Sequence, residues 1–262
     1  MAWERGTTAQ KAGRERRAVL SPDEVRRYRR QMDLIGKDGQ ERLKGARVTI
    51  AGSGGLGCPV ATYLALAGVG WLRIIDQDVV DISNLNRQFL HRDMDLGRPK
   101  AESAGEKLRE MNPHITIEAV QATIEEGSVS GLIGDTDLII DAVDSYAARY
   151  LLNREAVRRG IPFIHGAIRG FDGQAMTVLP GKTACLRCVI PRAPPPETPP
   201  VVGATAGVIA LVQATEALKF LLGTGNLLGN RLLLWEGLEA RMTEVAVERN
   251  PRCPDCGGVI LP

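Results

Sequence analysis

With 262 residues, 44% of them hydrophobic and 24% charged, the chain can bury one sizeable core, which speaks against intrinsic disorder and against two equal domains. A formal net charge of +2 gives no reason to expect a polyanion partner, and neither nucleic acid nor membrane is an expected partner. The charge is uneven, because the first thirty residues carry nine Arg or Lys against four Asp or Glu and leave about −3 for the rest.

Residues 1–20 show no periodic apolar pattern and are expected to form a disordered basic arm ahead of a single domain over 21–262. No apolar segment follows Met1, so no export signal is expected and the chain is placed in the cytoplasm. There, CxxC pairs are metal or redox sites more often than disulfides.

Ser21 caps a helix over PDEVRRYRRQM, with Pro22 in its first position and Glu24 three residues after the cap. A second short helix, DGQERLKG, is ended by Gly45. ARVTIAGSGGLG, at 46–57, then runs from a β-branched strand into Gly52, Gly54 and Gly57, with Gly55 beside them. Glycine lets a backbone bend tightly and approach a ligand, and the helix CPVATYLALAG that follows offers its first N–H groups to an anion. The next strand, WLRIID, ends on Asp76, at the spacing of a carboxylate that binds a ribose. Strand, turn, helix and acid make a βαβ nucleotide-binding unit, with the nucleotide left open.

A polar stretch holding Asn84 and Arg87 leads to a helix from about Arg98 to Met111, with Lys100 at its start. Strands ITIEAV (115–120) and DLIIDAVD (137–144), a helix over 147–159 and a strand IPFIHGA follow. This alternation predicts an α/β fold with a doubly wound, mainly parallel, Rossmann-like sheet. Its ligands would lie beyond the carboxyl ends of the strands, where Gly57, Asp76 and Asp144 all fall.

From residue 171 the pattern changes to an antiparallel part: a strand GQAMTVLP, a proline-rich connection over 191–201, a long apolar helix, and strands RLLLWEG and EARMTEVAV. Gln213, Glu216 and Lys219 interrupt the long helix at helical spacing, so it reads as a buried or interface helix and not a membrane span.

Cys185 and Cys188, with Cys253 and Cys256, supply the four sulfurs of a tetrahedral structural zinc site, a redox pair or two incidental pairs being the alternatives. Cys58 opens the helix after the glycine turn, where a dipole could lower its pKa, or it is a small packed residue. Arg87 and Lys100 follow Asp76 closely enough to surround one phosphate. Asp144 is a candidate Mg²⁺ ligand or the cap of a helix starting near Ser145, a role Asp141 could share. His91, His114 and His165 are scattered and receive no role.

On these residues the chain resembles the ThiF/MoeB/HesA family of adenylyltransferases, relatives of ubiquitin-activating enzymes, from about residue 25 to the end. RYRRQ (27–31), GSGGLGC (52–58), IIDQDVVDISNLNRQFLH (74–91), GRPKAESA (97–104), DAVDS (141–145), CLRC and RNPRCPDCG carry the likeness. The resemblance implies an enzyme that uses ATP and Mg²⁺ to adenylate a carboxylate, most often the C-terminal glycine of a ubiquitin-like sulfur-carrier protein, with release of pyrophosphate. It implies that residues 21–170 form the nucleotide-binding part, in which the glycine turn, Asp76, Asp78 and Ser83 line the nucleotide. Asn84, Arg87 and Lys100 would hold its phosphates, Asp144 the metal, and Ser145 the nucleotide beside it. It also implies a homodimer whose Arg30 reaches into the partner's site.

The crossover loop at 191–201 lacks the cysteine that many relatives place there, so the chain is expected to stop at the acyl-adenylate or to pass it to another protein's nucleophile. No appended rhodanese-like domain is expected. Adenylation of a peptide or small-molecule carboxylate is the alternative; an NAD-dependent dehydrogenase and a catalytically idle partner subunit are more remote ones.

Overall fold

The computed structural model describes residues 18–195 and 199–258, so most of the expected disordered arm lies outside the described residues. Its last residues are packed: Leu20 is buried, and Lys44 donates to the Val19 carbonyl at 2.7 Å. The predicted capping box opens α1 (Pro22–Arg27), with the Ser21 N–H donating to the Glu24 carboxylate at 2.7 Å. The helix expected to continue to Met32 breaks at Tyr28 instead. From there α2 (Arg29–Gly45) runs on, bent where Gly36 takes φ +73. Tertiary packing overrides the local pattern here: Tyr28 is buried beneath Gly68, and its hydroxyl accepts from Asn112 at 2.7 Å.

The central sheet follows from runs such as RVTIA and LIID, whose Val48, Ile50, Leu138 and Ile140 are wholly buried. In chain order the elements are β1 (Arg47–Ala51), α3 (Gly57–Ala67), β2 (Trp71–Ile75), α4 (Lys100–Met111) and β3 (Thr116–Val120). Next come α5 (Val129–Ile133), β4 (Leu138–Asp141), α6 (Tyr146–Arg159), β5 (Phe163–Arg169), β6 (Asp172–Val178), α7 (Leu186–Val189), α8 (Gly203–Leu222), β7 (Arg231–Glu236) and β8 (Arg241–Ala246). The strands lie in the order β3-β2-β1-β4-β5-β6-β7-β8, parallel from β3 to β5 and antiparallel from β5 to β8. This is the expected mixed sheet, with α5 and α7 as short helices the sequence pattern had not marked. The chain leaves β1 toward β2 and later returns on its other side at β4, which opens a crevice at the carboxyl ends of these two strands.

Helix α8 is long and apolar enough to cross a membrane, yet it lies against β5, β6 and α3. Its polar residues are points of attachment. Gln213 donates to the carbonyls of Asp141 (2.7 Å) and Ile164 (3.2 Å), and buried Glu216 accepts from the Thr177 hydroxyl and the Leu228 N–H, both at 2.6 Å. The proline-rich connection reaches this helix through Pro200, whose carbonyl accepts from the Gly170 N–H at 2.7 Å.

The turn from β1 into α3 is the tightest point in the sheet's upper rim. A Cβ on Gly57 would lie 2.0 Å from the Gly52 carbonyl oxygen, and one on Gly52, whose φ is +98, would lie 2.4 Å from that of Ala142. Gly57→Ala is therefore expected to destabilise the fold by about 3 kcal/mol, read as a lower urea midpoint. Gly131→Ala, inside α5 where a Cβ meets nothing within 4 Å, is the control that keeps or slightly raises the wild-type value. A wild-type midpoint for Gly57→Ala would contradict the packing described.

Candidate active site

The glycine turn is organised around Ser53. Its N–H and hydroxyl both donate to Asp76 Oδ2, at 2.7 and 2.9 Å, and its carbonyl accepts from the Cys58 thiol at 3.1 Å. The Asp78 N–H donates to the other Asp76 oxygen at 2.9 Å, leaving that oxygen a lone pair for a further donor such as a ribose hydroxyl. Among the described residues the N–H groups of Gly54, Gly55 and Leu56 meet no acceptor, and they precede the first turn of α3. Such unpaired donors at a helix N-terminus form an anion cradle.

Lys100 comes to the same place from the start of α4. Its buried ammonium pairs with Asp78 at 2.9 Å, and its own N–H donates to the Asp78 carbonyl. The stem of Arg87 packs 3.5 Å from where a Gly55 Cβ would be, and its Cβ lies 3.2 Å from that of a side chain at Gly203. Its guanidinium is turned back onto the Ser83 carbonyl and the Asn86 side chain, each at 2.9 Å. Asn84 and Ser83 shape this turn: the Asp81 carboxylate accepts from the Ser83 N–H (2.8 Å) and hydroxyl (2.6 Å), and the Asp81 N–H donates to Asn84 at 3.3 Å. The structure thus gathers Gly52 to Gly57, Asp76, Asp78, Lys100 and the Arg87 side-chain stem around one crevice, with the Arg87 charge folded against its own loop.

Strand β4 ends at Asp141 and not at Asp144, and Asp141 is no helix cap. It is wholly buried, accepts from His165 Nδ1 at 2.6 Å, and lies 3.5 Å from Arg149 Nε. Arg149 Nη2 donates to the Val143 carbonyl at 2.7 Å, and the Val143 N–H donates back to Asp141 at 3.3 Å. The loop that carries Asp144 is therefore gripped one residue before it. Asp144 itself is exposed and has no hydrogen bond or ion pair among the described residues. Ser145 caps α6 by accepting from the Ala148 N–H at 3.3 Å.

Arg30 is not in this crevice. Its neighbour Gln31 donates to the Ala67 carbonyl at 2.7 Å, at the far end of α3, roughly 15 Å along the helix from the glycine turn. His91 and His165 were given no role in the sequence, but both are buried in polar networks. Nothing local marks them, since their partners Ser53 and Asp141 are distant in the chain. Cys58 is no activated thiol: burial pushes it up to about 12.

The four remaining cysteines meet as expected, with Sγ separations of 3.9 Å (Cys185 to Cys188), 3.6 Å (Cys185 to Cys253) and 3.4 Å (Cys188 to Cys256). Sulfurs bound to one tetrahedral zinc would be about 3.8 Å apart, and those of a disulfide about 2.05 Å, so the donor set fits a metal. Asn153 joins the two knuckles, accepting from the Leu186 N–H at 2.9 Å and donating to Asp255 at 2.7 Å. A groove of about 370 Å³ between α5 and α6, lined by Glu126, Arg154, Glu155 and Arg158, lies apart from all these residues and is laced by their ion pairs.

The sequence profile described as the ThiF family matches residues 28–255. SAMP-activating enzyme E1 of Haloferax volcanii is 43% identical over 246 residues, 91% of this chain and 91% of its own. Sulfur carrier protein adenylyltransferase of Thermus thermophilus is 43% identical over 248 residues, 90% of this chain and 92% of its own. Mouse adenylyltransferase and sulfurtransferase MOCS3 is 40% identical, and the match spans 92% of this chain and 54% of that protein. Among solved structures, Escherichia coli MccB with AMPCPP and MccA superposes with a TM-score of 0.79 at 25% identity, over 88% of this chain and 74% of MccB.

Burial holds His91 and His165 below the ordinary imidazole range, against the pull of Asp141 in the second case. Both stay neutral in the fold while the unfolded chain gains protons below about pH 6.5, so stability is full above that value and falls as pH drops through it. Burial pushes Asp95 up, but Lys107 and the Arg92 N–H outweigh it and hold the carboxyl at about 2. That contribution is present above the ordinary carboxylate range and is lost as pH falls toward 2. The melting temperature is thus expected to fall steadily from about pH 7 to pH 5, less steeply in His165→Gln. A rise on acidification would contradict buried neutral imidazoles.

Proposed function

Because the chain belongs to the ThiF family and is an adenylyltransferase, we propose that it activates the C-terminal carboxylate of a ubiquitin-like sulfur-carrier protein. ATP is the co-substrate, pyrophosphate leaves, and an acyl-adenylate remains. The observation that carries this reading is the set of unpaired N–H groups at Gly54, Gly55 and Leu56, beside Lys100 and Arg87. The two most similar relatives described above, which match this chain over nine-tenths of their length, are named for acting on SAMP and on a sulfur carrier protein. A dinucleotide would also suit the glycine turn, but the named adenylyltransferase activity of the relatives decides for ATP.

A carboxylate attacking an α-phosphate brings two anions together and adds charge to the phosphoryl oxygens, so cations must already be in position. Lys100, held by Asp78, is one. Arg87 becomes the second when its guanidinium leaves the Ser83 carbonyl for a phosphate, a charge-assisted bond replacing a neutral one. Asp144, exposed on a loop gripped by Arg149, would hold Mg²⁺, which when bound neutralises phosphate charge. The four cysteines would hold a structural zinc.

Arg30 is too far from the crevice of its own chain to act there, so it completes the site of a second copy in a homodimer. Cys58 is buried and the crossover loop has no cysteine, so the acyl-adenylate leaves for a nucleophile on another molecule. CxxC pairs placed to hold a metal suit a reducing compartment, which supports the cytoplasm. The second reading, a different carboxylate, rests on the altered crossover loop and on the fold shared with MccB, which was solved with MccA.

Labelled pyrophosphate exchange, run against diglycine-ended carrier proteins, peptides and small carboxylic acids, tests this. Exchange with a carrier protein is expected; exchange only with another acid favours the second reading, and exchange with none contradicts both. Arg87→Ala and Asp144→Ala should each lower exchange by roughly 10²-fold or more, and unchanged rates would remove both residues from the site. Arg30→Ala and Asp144→Ala, each strongly impaired alone, should regain activity when mixed, because one subunit supplies Arg30 and the other Asp144. No recovery on mixing would contradict a site shared between copies.

A further inference from the structure

Beneath the glycine turn runs a line of buried polar groups that the adenylation reading leaves unused: Lys107, Ser103 and His91. The Lys107 ammonium donates to both Asp95 oxygens at 2.6 Å and to Ser103 Oγ at 3.1 Å, which uses all three of its protons. Ser103 Oγ lies 2.9 Å from His91 Nδ1, and His91 Nε2 lies 3.2 Å from the Ser53 carbonyl oxygen.

The chemistry of each atom fixes where the protons are. A carbonyl oxygen can only accept, so Nε2 carries the hydrogen. Burial and the nearby Lys100 charge favour a neutral ring, which leaves Nδ1 bare and in need of a donor. The Ser103 hydroxyl accepts from Lys107 and has one proton to give. The bonds therefore run one way, from Lys107 through Ser103 and His91 to Ser53. The opposite tautomer would set the Nε2 lone pair against the Ser53 oxygen in a dry site.

We propose that His91 is a positioning residue for the nucleotide: its Nε2–H, oriented by Ser103 and Lys107, clamps the Ser53 carbonyl so that the Gly54 and Gly55 N–H groups face a phosphate. The Cys58 thiol donates to the same carbonyl, and Asp76 holds the N–H and hydroxyl of the same residue. Each polar group of Ser53 is thus fixed, and the turn beyond it inherits that orientation. The phosphate part of this inference rests on the ATP reading given above.

The test joins ring ¹⁵N NMR of His91 with ATP binding by calorimetry. The expected spectrum at about pH 7 shows a protonated Nε2 and a bare Nδ1, and Ser103→Ala should mix the two tautomers. His91→Phe fills the space and donates nothing, so ATP affinity should drop about tenfold, one hydrogen bond's worth. His91→Gln, whose amide can donate toward the same carbonyl, should recover most of that loss. An Nδ1-protonated ring, or equal ATP affinities for wild type and His91→Phe, overturns the clamp. Wild-type protein that binds no ATP overturns the adenylation reading instead, and the NMR tautomer then still decides whether His91 holds Ser53.

Discussion

The constraint on which the site depends is the complete commitment of one small residue. Ser53 gives its N–H and hydroxyl to Asp76 and takes two donors on its carbonyl, while Gly52 before it donates to the Ile75 carbonyl at 2.7 Å. Those groups are satisfied inside the protein, and among the described residues the next three N–H groups have no acceptor. Buried or half-buried donors left open in this way cost stability unless something satisfies them, and a phosphate is the natural acceptor at the head of a helix.

The surroundings of this residue come from both halves of the sheet. Helix α8, tied by Gln213 to the carbonyls of Asp141 and Ile164, brings Gly203 against the Asn86–Arg87 segment; a Cβ there would lie 2.9 Å from the Asn86 carbonyl oxygen. The position of the Asn86–Arg87 loop is therefore coupled to the antiparallel part. At the other edge, the cysteine cluster fixes the chain just before the proline-rich connection, and the Gly170 to Pro200 bond fixes the end of it. A loop anchored at both ends can vary in length and composition without disturbing the sheet, which fits the proline run and its missing cysteine.

Much of this was legible in the sequence because the chemistry is local. The glycine turn, Asp76 and the two CxxC pairs each declare themselves within a few residues, and the alternation of strands and helices gives the parallel sheet. What was missed depends on long-range packing. His91 meets Ser53 from 38 residues away, and His165 meets Asp141 from 24, so neither makes a pattern along the chain. Tyr28 breaks a continuous helical pattern because it is drawn under Gly68. The strand DLIIDAVD was read three residues past its end because Asp144 looks like the closing carboxylate, when the strand stops at Asp141, which is buried beside His165 and Arg149 as part of the core.

Amide hydrogen exchange, resolved to single residues with and without ATP, addresses the central claim directly. If Ser53 is held so that the following donors meet a phosphate, ATP should slow exchange at Gly54, Gly55 and Leu56 more than elsewhere in the sheet's upper rim. Protection that falls on other residues, with those three amides exchanging as fast as before, would contradict it.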